Sequence, residues 1–532
     1  MQKVLFTACF IFLFISINAQ RKIDVLHYKY EIELSDQSDS IKGKATITIR
    51  FLEEVDHFAL DLKSQNTYDK KGISALLIGE DKTYMASVLH KDDKFNIVPV
   101  RKIKRGEERT YVIIYRGIPA DGLIISKTKY GQRSFFADNW PNRGRYWLPC
   151  VDDPGDKASV EFIVTAPQHY QVISNGILVE ETNLAGNKKM THWKEDVPIA
   201  TKVMVIGASD FAVSLAGVID NCIPVYSWVY PENRDKGFYD YSLATEILPF
   251  FIKNVGPYGY KKLANVQSKT TFGGLENANT IFYSESSVTG TRKSESTIAH
   301  EIAHQWFGNM ATEKSFAHLW LSEGFATYFT ILYFENKYGK DTATYMLEED
   351  RNQVISFAKK SDKPVVDDDP DYMQLLNANS YQKGGWILHM LRRQLGDSAF
   401  HKSIKTYYAT YAGKNADTKD LQKIVEKVSG KDLSVFFQQW LYTPGIPKLD
   451  ISWSYLPKEK KLSVTVKQLQ KIPFSFPLEL QLKNTTVNNT IKTINVSKQE
   501  ETFIIPVKEK PISFKLDPNT SLLFMGNAIE KK

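Results

Sequence analysis

Cysteine is scarce in this sequence. Only Cys9, Cys150 and Cys222 occur in 532 residues, which is too few for a disulfide-rich scaffold or for a zinc module built from cysteines. Any metal ion must therefore be held by histidines and carboxylates. Outside the first twenty residues only two cysteines remain, and these can form one disulfide or stay as buried thiols.

A block of one charge sign is also missing. The chain has 68 Lys and Arg against 61 Asp and Glu, a net charge of +7, and both signs alternate along it. Nucleic acid is therefore not an indicated partner. Apolar residues make up 42% and charged residues 24%, a balance typical of folded globular proteins and not of disordered or coiled-coil chains. The length predicts about three domains.

The first residues have the pattern of an export signal. Lys3 precedes an apolar run from Val4 to Ile17, and Ala19 is the kind of small residue that signal peptidase prefers before its cleavage point. The run is shorter than the roughly 18 to 20 residues needed to span a bilayer, which argues against the alternative of a membrane anchor. We expect residues 1–19 to be a cleaved signal peptide, and the mature protein to be periplasmic or secreted without stable membrane insertion.

Hydrophobic periodicity divides the rest of the chain into three parts, together a multidomain α+β protein. Alternating apolar residues, as in the stretch from Tyr28 to Leu34, continue to about Phe211 and predict an N-terminal antiparallel β domain at 20–211. Apolar residues at three- and four-residue spacing then predict a mainly helical domain at 212–445. Beyond the helix-breaking run from Thr443 to Pro447 the alternation returns, so 446–532 is predicted to be a C-terminal β-sandwich.

Five segments of the middle domain have the helical spacing. Each places apolar residues on one face of a 3.6-residue period. They are Tyr241 to Val255, Thr297 to Phe307, Leu321 to Tyr338, Gly385 to Leu395, and Leu421 to Val428.

The second of these segments contains a candidate metal-binding motif. His300-Glu301-Ile302-Ala303-His304 has the HExxH spacing, which on a helix puts both imidazoles on one face, within reach of a single zinc ion. Glu301 lies beside that face, where its carboxylate can meet a water molecule instead of the metal. A metzincin would have Gly and His where this chain has Phe307 and Met310, so that class is excluded.

Glu323 is the candidate third ligand. It opens the sequence Glu323-Gly324-Phe325-Ala326 at the start of the next periodic segment, and a helix, a turn and a second helix would return its carboxylate to the histidines. Two imidazoles and one carboxylate leave a fourth position for water, which is typical of a catalytic zinc site. An ordinary amphipathic helix would bury these polar groups unpaired, at a cost of several kcal/mol.

Residues Thr297 to Phe329 (TIAHEIAHQWFGNMATEKSFAHLWLSEGFATYF) resemble the zinc signature of the aminopeptidase N family of gluzincins. Three further segments resemble parts of that family. They are Gly273-Gly274-Leu275-Glu276-Asn277, similar to its G-x-M-E-N exopeptidase motif with Leu275 in place of methionine; Tyr381-Gln382-Lys383-Gly384-Gly385, similar to the segment with its catalytic tyrosine; and Arg145 to Pro154 with Lys157-Ala158, similar to a corner of its N-terminal β domain.

The resemblance implies a thermolysin-like catalytic domain that holds one Zn²⁺ per chain and removes the first residue from peptides with a free N-terminus. It implies a role for each matching residue: His300, His304 and Glu323 as zinc ligands, Glu301 as general base, Tyr381 as donor to the oxyanion, and Glu276, with Gly273, Gly274 and Asn277, as the substrate-binding motif. A second amine-binding side chain would come from the N-terminal β domain and, by its spacing to Pro149, would fall near Asp138. Removal of the first residue requires the same groups. A carboxylate beside the zinc can bind the free ammonium group and so place the first peptide bond at the metal.

Three alternatives remain open at this point. The Gly273-Gly274 pair and His318 are similar to the subgroup with aminopeptidase B and the leukotriene-epoxide hydrolase, so epoxide hydrolysis is one alternative, with Asp371 in a comparable acidic stretch. A catalytically inactive peptide-binding module is the second, although all the motif residues are intact. Endopeptidase action is the third, and Glu276 argues against it.

Overall fold

The computed structural model describes residues 21–80, 87–484 and 489–531. The predicted signal peptide at 1–19 lies outside these ranges. Among the described residues, no helix combines the length and the apolar character needed to cross a bilayer. Cys150 is buried, Cys222 is exposed, and both are free thiols.

The N-terminal part is built of strands whose alternating residues face a core. In the first strand Tyr28, Tyr30 and Ile32 are buried, as the alternation predicts. The strands are β1 (Ile23–Glu33), β2 (Ile41–Phe51), β3 (Phe58–Asp61), β4 (Gly72–Glu80), β5 (Ser87–Lys91), β6 (Lys94–Val98), β7 (Glu108–Ile118), β8 (Leu123–Lys127), β9 (Arg133–Ala137), β10 (Lys157–Pro167), β11 (Gln171–Ser174), β12 (Ile177–Leu184), β13 (Lys188–Ala200) and β14 (Ile206–Ser209).

These strands form three sheets in the described residues. Their orders are β12-β13-β10-β1-β2-β7-β4, β11-β14-β9-β8 and β3-β6-β5. The predicted antiparallel β domain is confirmed, with one exception: β1 and β10 pair in parallel, with His27 opposite Ser159.

A five-stranded sheet follows, which the sequence analysis did not predict. Its strands are β15 (Ala212–Ile219), β16 (Ile223–Val229), β17 (Leu263–Ser268), β18 (Gly274–Leu275) and β19 (Thr280–Ser284), in the order β15-β16-β17-β19-β18. Every residue of β17 is buried, so its sequence lacks the alternation of apolar and polar residues that predicts a strand. The two-residue strand β18 lies at the edge of the sheet and begins at Gly274, the second glycine of the Gly-Gly pair.

The helices account for the remaining body of the middle domain. They are α1 (Arg234–Tyr241), α2 (Ala244–Asn254), α3 (Glu295–Ala303), α4 (Trp320–Tyr338), α5 (Lys340–Ala358), α6 (Gly384–Leu395), α7 (Asp397–Tyr411), α8 (Thr418–Ser429) and α9 (Ser434–Phe437). All five predicted helical segments are confirmed as helical, while α1, α5, α7 and α9 were not predicted. Between α3 and α4, β20 (Ala311–Glu313) pairs in parallel with β21 (Lys414–Ala416).

The C-terminal part is the predicted β-sandwich. Its strands are β22 (Lys448–Leu456), β23 (Lys461–Gln468), β24 (Phe476–Lys483), β25 (Thr490–Val496), β26 (Glu500–Pro506), β27 (Ser513–Leu516) and β28 (Met525–Glu530). They form two sheets, in the orders β26-β23-β22-β28 and β25-β24-β27. The sheets face each other, because the rings of Trp453 on β22 and Phe514 on β27 stack with centroids 5.2 Å apart.

Candidate active site

The ends of two helices bring together His300, His304 and Glu323, which we call the triad. His300 lies in α3, His304 directly follows α3, and Glu323 lies in the first turn of α4. Glu323 Oε2 is 3.3 Å from His300 Nε2 and 3.2 Å from His304 Nε2, and the two Nε2 atoms are 3.1 Å apart. The predicted helix-turn-helix return of Glu323 to the histidines is therefore confirmed.

The geometry and chemistry of the triad fit a zinc ion. Ligand atoms at the usual zinc distances of about 2.0 to 2.1 Å lie about 3.3 Å apart on a tetrahedron, close to the separations found here. His304 Nδ1 is 3.0 Å from the carbonyl oxygen of Phe307. If Nδ1 donates to that carbonyl, Nε2 is left unprotonated toward the other two ligand atoms, as metal coordination requires.

Charge in the triad favours a cation. Burial by itself lowers the pKa of His304, but the charges of Glu323 and Glu276 raise it to about 10. The same imidazoles hold the pKa of the buried Glu323 carboxyl far below its usual range. A metal ion would replace the proton that this arrangement attracts, so metal binding releases a proton.

Glu301 is a buried carboxylate beside the triad. It is 6% exposed, and burial raises its pKa to about 8, with the nearby charges of Glu276 and Glu323 acting in the same direction. A Cβ on Gly274 would lie 2.3 Å from Glu301 Oε1, so glycine at 274 is what allows the edge strand to approach this carboxylate. A carboxylate whose pKa is raised by burial is a stronger proton acceptor than an exposed one.

Glu276 is held by its backbone and not by its side chain. Its carbonyl oxygen accepts hydrogen bonds from Gln305 Nε2 at 3.1 Å and from Asn309 Nδ2 at 2.6 Å. Its Oε1 is buried and has no hydrogen-bond donor among the described residues, and burial raises the pKa of the carboxyl group. The backbone of Glu276 is thus fixed in place, and its carboxylate keeps acceptor capacity to spare.

Tyr381 lies in a π-helical turn, Asn379–Lys383, directly before α6. Single π-turns of this kind occur often at functional sites. Its ring is stacked on His300, with centroids 5.9 Å apart and planes 14° apart. Burial and the surrounding carboxylates raise the pKa of Tyr381 well above its usual value, so the hydroxyl stays protonated and can donate.

One cleft of ≈ 370 Å³ collects most of the predicted residues. It is lined by Trp140, Phe272, Gly273, Gly274, Leu275, Glu276, Ser296, Thr297, His300, Glu301, His304, Glu323, Leu376 and Tyr381. Asn277 is fully buried and does not line it.

Asp138 requires a correction, because it does not line the cleft. Its Oδ1 pairs with Arg143, and its Oδ2 accepts hydrogen bonds from the hydroxyls of Thr270 and Thr271 at 3.2 and 3.1 Å. Oδ2 therefore stabilises the loop before Gly273 while Oδ1 is occupied by Arg143, and we assign no amine contact to Asp138. Trp140, two residues later, lines the cleft instead.

Gln305, Asn309 and Trp140 were missed by the sequence analysis. Gln305 and Asn309 act through the backbone of Glu276, a contact between segments about thirty residues apart that no spacing rule captures. Gln305 also accepts a hydrogen bond at 2.7 Å from the backbone N–H of Asn279, so it ties the end of α3 to the loop after Glu276. Only its place next to His304 could have drawn attention to it.

Comparison with known protein families agrees with this geometry. Residues 239–440 match the Peptidase family M1 domain, and residues 25–203 match the Peptidase M1 N-terminal domain. The chain belongs to peptidase family M1. The M1 domain match contains the triad, Glu276, Glu301 and Tyr381.

Curated M1 relatives are similar over part of their length. The chain is 25% identical over 451 residues to the leucyl aminopeptidase of Saccharolobus solfataricus, covering 80% of this chain and 55% of the relative. It is 30% identical over 349 residues to the tricorn protease-interacting factor F2 of Thermoplasma acidophilum, covering 62% and 43%. It is 29% identical over 324 residues to aminopeptidase M1-C of Oryza sativa subsp. japonica, covering 58% and 36%. This M1 chain therefore spans between 36% and 55% of the length of these relatives.

Proposed function

We propose that this M1 chain is a zinc-dependent aminopeptidase, which hydrolyses the first peptide bond of peptides with a free N-terminus. One observation carries the proposal: the triad, a buried base and an unpaired buried carboxylate line the same small cleft. Family membership supports it, and two of the three relatives named above are called aminopeptidases.

The residues around the triad supply proton transfer and charge stabilisation. A zinc ion held by the triad would polarise the scissile carbonyl group and activate a water molecule. Glu301 takes the proton of the attacking water and delivers it to the departing amine. Tyr381 donates a hydrogen bond to the oxygen on which negative charge develops.

Glu276 gives the reaction its exopeptidase character. Its unpaired Oε1 pairs with the α-ammonium group of the substrate, and this charged contact fixes the distance from the N-terminus to the reacting bond. The edge strand β18 begins at Gly274, and this residue and the preceding Gly273 both line the same cleft, where an extended peptide can pair with their backbone groups.

No observation favours the epoxide-hydrolase alternative. Asp371 is exposed, and its carboxylate accepts a hydrogen bond from the backbone N–H of Met373 at 3.2 Å, so it stabilises a local turn. It does not line the cleft. An inactive peptide-binding module would need neither the intact triad nor the raised pKa of Glu301 beside it.

The decisive experiment compares a peptide with its N-acetylated twin. The zinc-loaded protein should convert the free peptide into a ladder of products, each shorter by one N-terminal residue in the mass spectrum, and should leave the acetylated peptide intact. A chelator should abolish the ladder, and added zinc should restore it. Internal cuts in both peptides at comparable rates would instead show an endopeptidase.

Export is a further part of the proposal, supported by Lys3, the apolar run that follows it and Ala19. Sequencing the N-terminus of the protein recovered from the periplasm or the medium should give Gln20 as the first residue. Recovery of a chain that still begins with Met1, in the membrane fraction only, would contradict this.

A further inference from the structure

Positive charge is unevenly shared between the parts of the chain. Residues 446–532, which form the C-terminal β-sandwich, contain 14 lysines, no arginine and 8 acidic residues, a net charge of +6. Residues 20–445 contain 53 basic and 53 acidic residues, a net charge of zero. The β-sandwich therefore carries the whole positive excess of residues 20–532, and such an excess on one domain attracts negatively charged partners.

Two loops of the β-sandwich bring several of these lysines together. The turn between β22 and β23 contains Lys458 and Lys460, and the loop after β26 contains Lys508 and Lys510. The backbone N–H of Val507 donates to the carbonyl oxygen of Lys460 at 3.0 Å. The two loops are therefore neighbours at the same end of the β-sandwich.

The ends of two strands add one lysine each. Lys531 directly follows β28, whose last residue Glu530 pairs with Lys510 at 2.6 Å. Lys483 ends β24, and its carbonyl oxygen accepts a hydrogen bond at 2.8 Å from the backbone N–H of Ile512, two residues after Lys510. Together these residues form what we call the basic end: Lys458, Lys460, Lys483, Lys508, Lys510 and Lys531.

The charge of the basic end is only partly neutralised by the protein. All six lysines are exposed, and in the described part of the chain only Lys510 has an ion-pair partner, Glu530. Glu459 pairs instead with the neighbouring, half-buried Lys461 at 3.2 Å. With Lys461 and Glu509 included, seven lysines face three glutamates, so the net charge at this end is +4.

The basic end points away from the catalytic domain. Strand β22 begins at Lys448, just after the linker from the catalytic domain, and runs toward the basic end. Contacts between the two domains lie at the other end of the β-sandwich. There Arg351 of α5 pairs with Asp517 at 2.6 Å, and Gln439 Nε2 donates to the carbonyl oxygen of Ser475 at 2.7 Å. The basic end is therefore free to meet a large flat partner.

Exposed isoleucines lie among the lysines of the basic end. Ile512 is 61% exposed, and Ile529, next to Glu530, is 57% exposed. Single exposed apolar residues are normal on protein surfaces, but these two lie beside unpaired lysines. Lysines attract anionic lipid headgroups, and apolar side chains next to them can enter the boundary between headgroups and acyl chains. A dissolved polyanion would use the lysines alone, so the isoleucines favour a lipid surface.

We propose that the basic end docks this protein onto the surface of an anionic lipid bilayer without crossing it. The ammonium groups approach the negatively charged headgroups, and Ile512 and Ile529 reach into the boundary below them. None of these residues lines the cleft with the triad, so the cleft stays accessible on the docked protein. This inference does not depend on the proposed aminopeptidase function, because it rests on different residues.

The test is co-sedimentation of the purified protein with lipid vesicles. We expect binding to phosphatidylcholine vesicles that contain phosphatidylglycerol, and none to vesicles of phosphatidylcholine alone. Raising the salt from about 0.1 M to about 0.5 M should weaken the binding by at least about tenfold, because exposed charges are then screened. A fourfold variant should bind at least about tenfold more weakly than the wild type at the lower salt. Its changes are Lys458→Gln, Lys460→Gln, Lys508→Gln and Lys531→Gln.

A matched control removes the same charge from exposed lysines of the catalytic domain. Its changes are Lys359→Gln, Lys419→Gln, Lys423→Gln and Lys427→Gln. This control should bind the vesicles like the wild type, and both fourfold variants should keep the Tm of the wild type because all the changed side chains are exposed. Replacing Ile512 and Ile529 by serine should weaken binding by about threefold or more.

Four results would overturn the inference. They are a wild type that does not bind the anionic vesicles, equal binding to the neutral vesicles, equal losses in the two fourfold variants, and binding to dextran sulfate without binding to vesicles. The last result would identify a dissolved polyanion as the partner. Aminopeptidase activity on a small substrate should be the same in all these variants, so the proposed function is tested separately.

Discussion

Glu301 combines burial with a position beside the triad. Its raised pKa follows from that burial, and Gly274 provides the space in which its carboxylate lies. Under the proposed function, Glu301 holds a proton during the reaction and does not bind the metal.

We expect Glu301→Gln to keep its zinc and to lose activity. Glutamine preserves the shape of the side chain but accepts no proton, so kcat should fall by about two to four orders of magnitude. Elemental analysis should show a zinc content equal to that of the wild type. Glu323→Ala is the matched variant, and it should lose zinc. Full activity in Glu301→Gln would contradict the assignment, as would a zinc content as low as in Glu323→Ala.

Sequence reasoning found the residues that lie in local motifs. His300, Glu301 and His304 follow one another in a single helical segment, and the helix that starts near Glu323 was itself predictable. Trp140 and Asn309 were not found, because their roles come from contacts with segments distant in the chain. Asp138 had been placed by its spacing to Pro149, and the ion pair with Arg143 shows why spacing alone was insufficient.

At the scale of elements, the edge strand β18 begins at Gly274, and Gly273 directly precedes it, so two neighbouring positions at this edge have no side chain. A side chain at Gly274 would meet Glu301, with a Cβ 2.3 Å from Oε1 and 2.5 Å from Cδ. A Cβ at Gly273 would meet no protein atom within 4 Å. The two neighbouring glycines therefore differ in what a methyl group would disturb.

Gly274→Ala should lower kcat by at least about tenfold, since a displaced carboxylate is out of place for proton transfer. Gly273→Ala, the matched variant, should change kcat by less than about threefold and act on KM, because its Cβ meets open space that the proposed function assigns to the substrate. Steady-state kinetics of both variants on one substrate separates these effects. Equal kcat values in the two variants would contradict the role given to Gly274.

Helices were more predictable than the strands around them. The segments at α3, α4 and α8 have dense apolar stripes, and Gly430 ends α8 in a left-handed conformation, with φ of 68°. Helix α5 has only Ala343, Leu347 and Val354 buried, which is too sparse a pattern to stand out. The central sheet was missed because β17 is buried on both faces and β18 is only two residues long.

At the scale of the whole molecule, the half-buried Lys157 and the buried Lys202 fix the N-terminal domain against the loop behind Glu276. Lys157 Nζ donates to the carbonyl oxygens of Asn309 and Met310, each at 2.9 Å. Lys202 pairs with Glu313 of β20, and their side chains are 1% and 0% exposed. Asn309 also donates a hydrogen bond to the backbone of Glu276. The same residue therefore contributes to the contact between the domains and to the candidate active site.

Lys202→Met should destabilise the protein, because it leaves the charge of Glu313 buried and unpaired at a cost of about 3 to 5 kcal/mol. The apparent Tm should fall by at least about 5 °C. The double variant Lys202→Met with Glu313→Met should recover much of this loss, since an apolar pair can replace a buried ion pair. Arg234→Met, which breaks an exposed pair with Asp235, is the control and should leave Tm unchanged. A single variant as stable as the wild type would show that the buried pair does not fix the domains.

The central claim is that Glu276 makes the proposed zinc site that of an exopeptidase. The most direct test compares Glu276→Gln with the wild type on one peptide with a free amine and on its N-acetylated twin. A charged hydrogen bond in a buried cleft contributes about 1.5 to 3 kcal/mol, so kcat/KM on the free amine should fall by roughly one to two orders of magnitude in the variant. Zinc content should not change, and the acetylated peptide should be poor for both proteins. An unchanged kcat/KM on the free amine in Glu276→Gln would contradict the account, as would a wild type that cuts the acetylated peptide as fast as the free one.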